Sequence, residues 1–144
     1  MEVRTSIHIR ASPEKVWSVL TDFDSYGAWN PFIKSIKGEV ALSQVIEAHV
    51  CPPASNEMTF KPVVLVFEEN KELRWRGKLL FSGIFDGEHR FVPKANEDGL
   101  TEFIHAEKFS GILVPFMRKM LNGRTKNGFV KMNEALKKKV ESLS

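Results

Sequence analysis

The chain has 144 residues, 42% of them apolar and 27% charged, and a formal net charge of +3. That length suits one domain over residues 1–144, and the composition excludes disordered and fibrous classes. The small charge, with basic residues dispersed except for Lys137, Lys138 and Lys139, argues against nucleic acid as a partner.

Residues 3–9 alternate, with Val3, Thr5, Ile7 and Ile9 on one side and Arg4, Ser6 and His8 on the other, the pattern of a strand with one covered face. The alternation starts directly after Met1 without a charged-then-apolar leader, and no run of eighteen apolar residues occurs. The expectation is a cytoplasmic protein with no transmembrane segment. Ser12 then precedes Pro13 and Glu14, a capping side chain before a proline suited to the first helical turn. Val16, Trp17, Val19 and Leu20 make the apolar stripe of this short helix. Residues 24–29 read as a second brief helical turn closed by Asn30-Pro31, because the residue before a proline is pushed out of the α region.

Six strand patterns follow, over residues 32–37, 44–51, 58–68, 72–80, 88–93 and 100–109. The turn signals between them include Lys37-Gly38, Pro52-Pro53, Ser82-Gly83, Asp86-Gly87 and Asn96-Glu97-Asp98-Gly99. They leave room for hairpins but not for crossover helices, so the strands meander. Cys51, the only cysteine, has no partner for an internal bridge and no cation or base beside it to activate its thiol. Pro62 cannot donate to a ladder and marks an edge or a bulge. From Val114 the apolar residues fall at helical spacing as far as Val140, which predicts one helix of about seven turns. Gly123 and Gly128 inside it imply a kink or a need for space beside the helix.

A strand, two short helices, an antiparallel meander and a long C-terminal helix make up an order that resembles the START and SRPBCC superfamily. Residues 16–32, VWSVLTDFDSYGAWNPF, are similar to the signature of its polyketide cyclase/dehydrase branch. So are Leu73-Arg74-Trp75-Arg76-Gly77, Gly87-Glu88-His89-Arg90-Phe91 and Glu107-Lys108-Phe109-Ser110-Gly111-Ile112-Leu113. The resemblance spans essentially the whole chain. It implies an α+β helix-grip fold, a curved antiparallel sheet of about seven strands wrapped on the long helix, with a cavity between the two. It also implies a binding protein for a hydrophobic small molecule, a lipid or an aromatic polyketide-like compound, without a tightly held cofactor. A fold so widely shared names no reaction, and a cyclase or dehydratase, or a protein-interaction module, stands beside that reading.

In such a fold, alternation assigns the inward faces. Phe103, His105, Glu107 and Phe109 point in from the last strand, His89 and Phe91 from the one before it, and Leu73, Trp75, Gly77 and Leu79 from the one before that. Trp29, Trp75, His89, Phe91, Phe103, His105, Glu107, Phe116, Met117, Met120, Gly128 and Met132 are the expected ligand-binding residues. An ordinary filled core would give the same alternation. His89, His105 and Glu107 are candidates for general acid and base, and equally for a satisfied structural network. Two histidines and a carboxylate also suit zinc, but no dedicated motif accompanies them and no metal is expected. Arg124, Thr125 and Asn127 interrupt the helix stripe, and Arg124 is a possible partner for Glu107. The turn at 96–99 predicts that the last two strands pair with residue numbers summing to 194. Phe91 would then face Phe103, and His89 would face His105.

Overall fold

Alternation in residues 3–9 becomes β1, Glu2–Ile9, with Val3, Thr5 and Ile9 buried and their neighbours exposed. The computed structural model describes residues 1–79 and 81–143. Ser12 caps α1, Pro13–Leu20, by accepting from Lys15 N, and Pro13 stands at the first turn. A 3₁₀ turn, Phe23–Ser25, leads directly into α2, Tyr26–Trp29. Asn30 ends it in an extended conformation, and its Oδ1 accepts from the amides of Phe32 and Ile33, so one side chain sets the entry to the sheet.

The remaining strands are β2 (Ile33–Lys37), β3 (Glu47–Val50), β4 (Met58–Phe60), β5 (Val63–Glu68), β6 (Glu72–Leu79), β7 (Phe85–Ala95) and β8 (Thr101–Ser110). They form a five-stranded sheet in the order β1-β8-β7-β6-β5 and a three-stranded sheet in the order β2-β3-β4. All pairings are antiparallel. The single strand expected over 58–68 is broken at Pro62, which has no amide to donate. The segment before β3 joins the sheets: Ile46 N donates to Pro62 O at 3.0 Å and Val64 N to Gln44 O at 3.0 Å. Leu80, the last residue expected in the strand over 72–80, lies outside the described residues.

Two turn expectations change. Asp86-Gly87 is strand rather than turn: Asp86 Oδ2 accepts from Arg76 Nη2 (3.1 Å) and from Gly83 N (3.0 Å), which moves the turn upstream and lengthens β7 to eleven residues. The β7–β8 register sums to 196 rather than 194, with His89 opposite Glu107 and Phe91 opposite His105. The cause is Asn96, whose Oδ1 accepts from Asp98 N and Leu100 N while its own amide donates to Leu100 O, so the connection is longer than expected. The shift is an even number, so every inward residue stays inward.

The long helix runs 28 residues, as α3 (Val114–Met120), a π turn (Leu121–Thr125) and α4 (Lys126–Glu141). Gly123 sits in the π turn, where the helix widens. Of the kink or the space beside the helix expected at Gly128, it is space that the position needs, for a side chain: a Cβ there would collide with the ring of Phe32, the residue before β2. The core lies between α1, α4 and the concave sheet face, with Leu20, Phe91, Phe103, Phe129, Met132 and Leu136 almost wholly buried.

Candidate functional site

A cavity of about 150 Å³ lies under α3 and the π turn, toward one end of the concave face. Trp75, Gly77 and Leu79 of β6, Phe85, Gly87 and His89 of β7, and Glu107 and Phe109 of β8 form one wall. Residues of β2, β3 and β4, including Ile33, Ala48 and Phe60, form another, and Met117, Met120, Leu121 and Thr125 close it from the helix. Met58, Leu79 and Met120 line the cavity and are also substantially exposed, so they mark its mouth. An apolar cavity of this size takes a single aromatic ring.

Of the expected ligand-binding residues, Trp75, His89, Glu107, Met117 and Met120 line this space. Phe91 and Phe103 are not walls. They are fully buried and fill the neighbouring core, with Trp75 and Phe91 ring centres 5.2 Å apart and Phe91 and Phe103 6.3 Å apart. Met132 and His105 are likewise buried outside the lining, and Gly128 packs on Phe32. Trp29 packs on Tyr26 at 5.3 Å and does not reach the cavity. Phe116 points away from it into solvent. Arg124 is exposed, and the polar neighbour of Glu107 is His89 instead.

The polar side chains form a hydrogen-bonded series from the cavity to β1. Thr5 Oγ1 donates to His105 O at 2.8 Å, which leaves it only lone pairs to offer Asn133 Nδ2, also at 2.8 Å. Asn133 therefore turns Oδ1 to His105 Nδ1, 2.9 Å away, and that nitrogen must carry a proton. A neutral His105 then accepts at Nε2, so His89 Nε2–H donates across 2.7 Å. His89 is left with a bare Nδ1, and Glu107 Oε1 lies 3.4 Å from it. Each step fixes the next, and the series ends on a nitrogen that suits a protonated carboxyl and repels a carboxylate.

Burial pushes in the same direction. It holds His89 well below the ordinary 6.5, with His105 adding to the effect, and lowers His105 to about 3 against the opposing Asn133 contact. Both rings are sandwiched among aromatics, His105 on Phe129 at 4.1 Å and His89 on Phe91 at 4.5 Å. Burial raises Glu107 to about 8, and the 18% of its side chain still exposed borders the cavity it lines. Gly87 permits this placement, because a Cβ there would collide with Glu107 Oε2. The site thus presents a neutral acid to an apolar space.

Among the described residues no three His, Cys, Asp or Glu side chains are arranged to hold a metal ion. The separation of 2.7 Å between the two Nε2 atoms is a hydrogen bond. Two imidazole nitrogens on one tetrahedral zinc stand further apart, at about 3.3 Å. Asn133 was not anticipated, although a signal existed: it interrupts the apolar stripe of Phe129, Met132 and Leu136, where a polar side chain needs a buried partner. The contributions of β2–β4 had no such signal.

The family model for polyketide cyclase / dehydrase and lipid transport matches residues 1–141. The chain belongs to that family. Its fold is also that of a START superfamily protein from Mycobacterium smegmatis, at 21% identity and a TM-score of 0.76 with 99% of each chain covered. The Zhui aromatase/cyclase from Streptomyces sp. R1128 is similar at 16% identity and a TM-score of 0.77, over 98% of this chain and 93% of that one. A Mesorhizobium loti protein gives 20% identity and 0.76 over 100% and 99%. Among curated proteins no sequence matches this chain. At such identities the likeness establishes the fold, and among the described residues no helix is long and apolar enough to cross a membrane.

Proposed function

We propose that this protein binds a small neutral molecule in the cavity beneath the long helix, and that the single carboxyl proton of Glu107 turns from His89 Nδ1 to that ligand. The ligand has an apolar or aromatic body and one hydrogen-bond acceptor, such as a carbonyl. The observation that carries the reading is an apolar cavity bordered by a carboxyl whose hydrogen-bonded neighbours favour its neutral form. Lipids and aromatic polyketide-like molecules meet that description: one ring or chain end fits about 150 Å³, and the rest extends past Met58, Leu79 and Met120. The unpaired Cys51 fits a cytoplasmic setting.

Ligand-observed NMR with acetophenone and benzoate tests this at neutral pH. The two have similar size, and only the second brings a charge to be desolvated beside Glu107. Acetophenone is expected to bind at least about tenfold more tightly. Equal affinities would contradict the reading.

The same neutral acid favours a second reading, an enzyme in which Glu107 protonates a carbonyl oxygen during cyclisation or dehydration. Glutamine at position 107 separates the two. A binding protein keeps its ligand, whereas an acid catalyst loses turnover by roughly a hundredfold or more.

A further inference from the structure

Three large apolar side chains stand mostly uncovered in one place: Phe81 is 73% exposed, Ile112 67% and Phe116 85%. Ile112 N donates to Gly83 O and Leu113 N to Ile84 O, both at 3.0 Å, which ties the turn at 81–84 to the segment entering α3. Phe116 and Met120 then stand four residues apart on one stripe of α3. Leu79 and Met120 belong both to this group and to the cavity lining, so the patch borders the cavity mouth.

Its charge is one-sided. Residues 77–85 and 109–133 contain Lys78, Arg118, Lys119, Arg124, Lys126 and Lys131 and not one Asp or Glu, in a chain that holds 18 acidic residues. All six cations are exposed. Asp86, the carboxylate at the end of this turn, is buried and held by Arg76 and Gly83 N, so the exposed charge of the two stretches is cationic. Exposed aromatic and aliphatic side chains beside such charge match an interface with an apolar interior and an anionic surface.

We propose that the rim of the cavity mouth is a docking surface for an anionic lipid bilayer. Phe81, Ile112 and Phe116 enter the interface, and Arg118 and Lys119 meet the headgroups. Docked in this way, the mouth faces the bilayer, and an apolar ligand passes between membrane and cavity without crossing water. The docking itself does not depend on any ligand.

Cosedimentation of the full chain with vesicles tests it, using phosphatidylcholine alone and phosphatidylcholine mixed with phosphatidylglycerol. Binding is expected to the mixed vesicles, to fall as salt is raised, and to be several-fold weaker on phosphatidylcholine alone. Phe116→Ser and the double variant Arg118→Glu/Lys119→Glu should each reduce it roughly tenfold. Leu42→Ser, at another exposed apolar position outside the patch (62% exposed), should not. Phe116 does not line the cavity, so acetophenone binding in Phe116→Ser reports separately on the cavity. Three results would overturn the proposal: no sedimentation with anionic vesicles, sedimentation unaffected by the Phe116 and Arg118/Lys119 variants, or a dimer in light scattering that Phe116→Ser dissociates while vesicles go unbound. The last would assign the face to a second copy of the chain.

Discussion

Glutamine in place of Glu107 is expected to remove the alkaline limb of the stability profile. Folded, Glu107 holds its proton to about pH 8; unfolded, it ionises near its ordinary 4.5, so between those values the folded state binds the extra proton. Its stabilisation is full below pH 4.5 and is lost as pH rises toward 8. His89 and His105 act in the opposite sense. Both are neutral when folded and take up protons below 6.5 when unfolded, so their contribution is full above 6.5 and is lost as pH falls from there toward their lower folded values. Between 4.5 and 6.5 two histidines outweigh one carboxyl, and above 6.5 the carboxyl outweighs them, which puts the maximum from these groups near pH 6.5. From there to pH 8 the wild type should lose about 1 kcal/mol, because the two histidines still gain a little while Glu107 loses more. The glutamine amide can donate to His89 Nδ1 and does not ionise, so urea midpoints of Glu107→Gln should level off where the wild type declines. Parallel profiles would mean that Glu107 is already ionised in the native cavity.

Asn133→Leu should cost about 2–4 kcal/mol of unfolding free energy, although leucine is similar in size and apolar. The loss arises because His105 Nδ1–H and the Thr5 lone pair are both left buried without a partner. The effect should be coupled to Thr5. Thr5→Val removes one end of the same series, so its cost should shrink in the Asn133→Leu background, and a double-mutant cycle in urea reads the difference. A neutral Asn133→Leu, or strictly additive costs, would show that the series does not act as a unit.

Periodicity was enough to recover the order of elements, because alternation and helical spacing are local. It also recovered the inward faces of β6, β7 and β8, since even a two-residue slip leaves facing unchanged. Register was beyond it: the slip depends on the Asn96 side chain folding back onto Asp98 and Leu100, a contact that turn composition does not specify. The position of the cavity was missed for a related reason. Phe91 and Phe103 share the inward face with Glu107, but α4 covers that end and fills it, while the wider end lies under α3 and the π turn. Phe116 was misplaced because hydrophobic spacing on a helix does not distinguish a side chain facing the core from one exposed on an apolar rim. A glycine in a helix signals a kink or a need for space without saying which, and at Gly128 only the approach of Phe32 shows what the space is for.

The most direct test of the neutral acid bordering the cavity is the protonation of the two imidazoles, read from side-chain ¹⁵N shifts at neutral pH. The series from Thr5 predicts that both rings are neutral, with His105 protonated at Nδ1 and His89 at Nε2. Glu107 is then left to supply the proton at His89 Nδ1. Those two tautomers, with neither ring titrating near 6.5, are the result the account requires. An imidazolium at His89, or His105 protonated at Nε2 instead of Nδ1, would reverse the direction of the series and contradict a neutral Glu107.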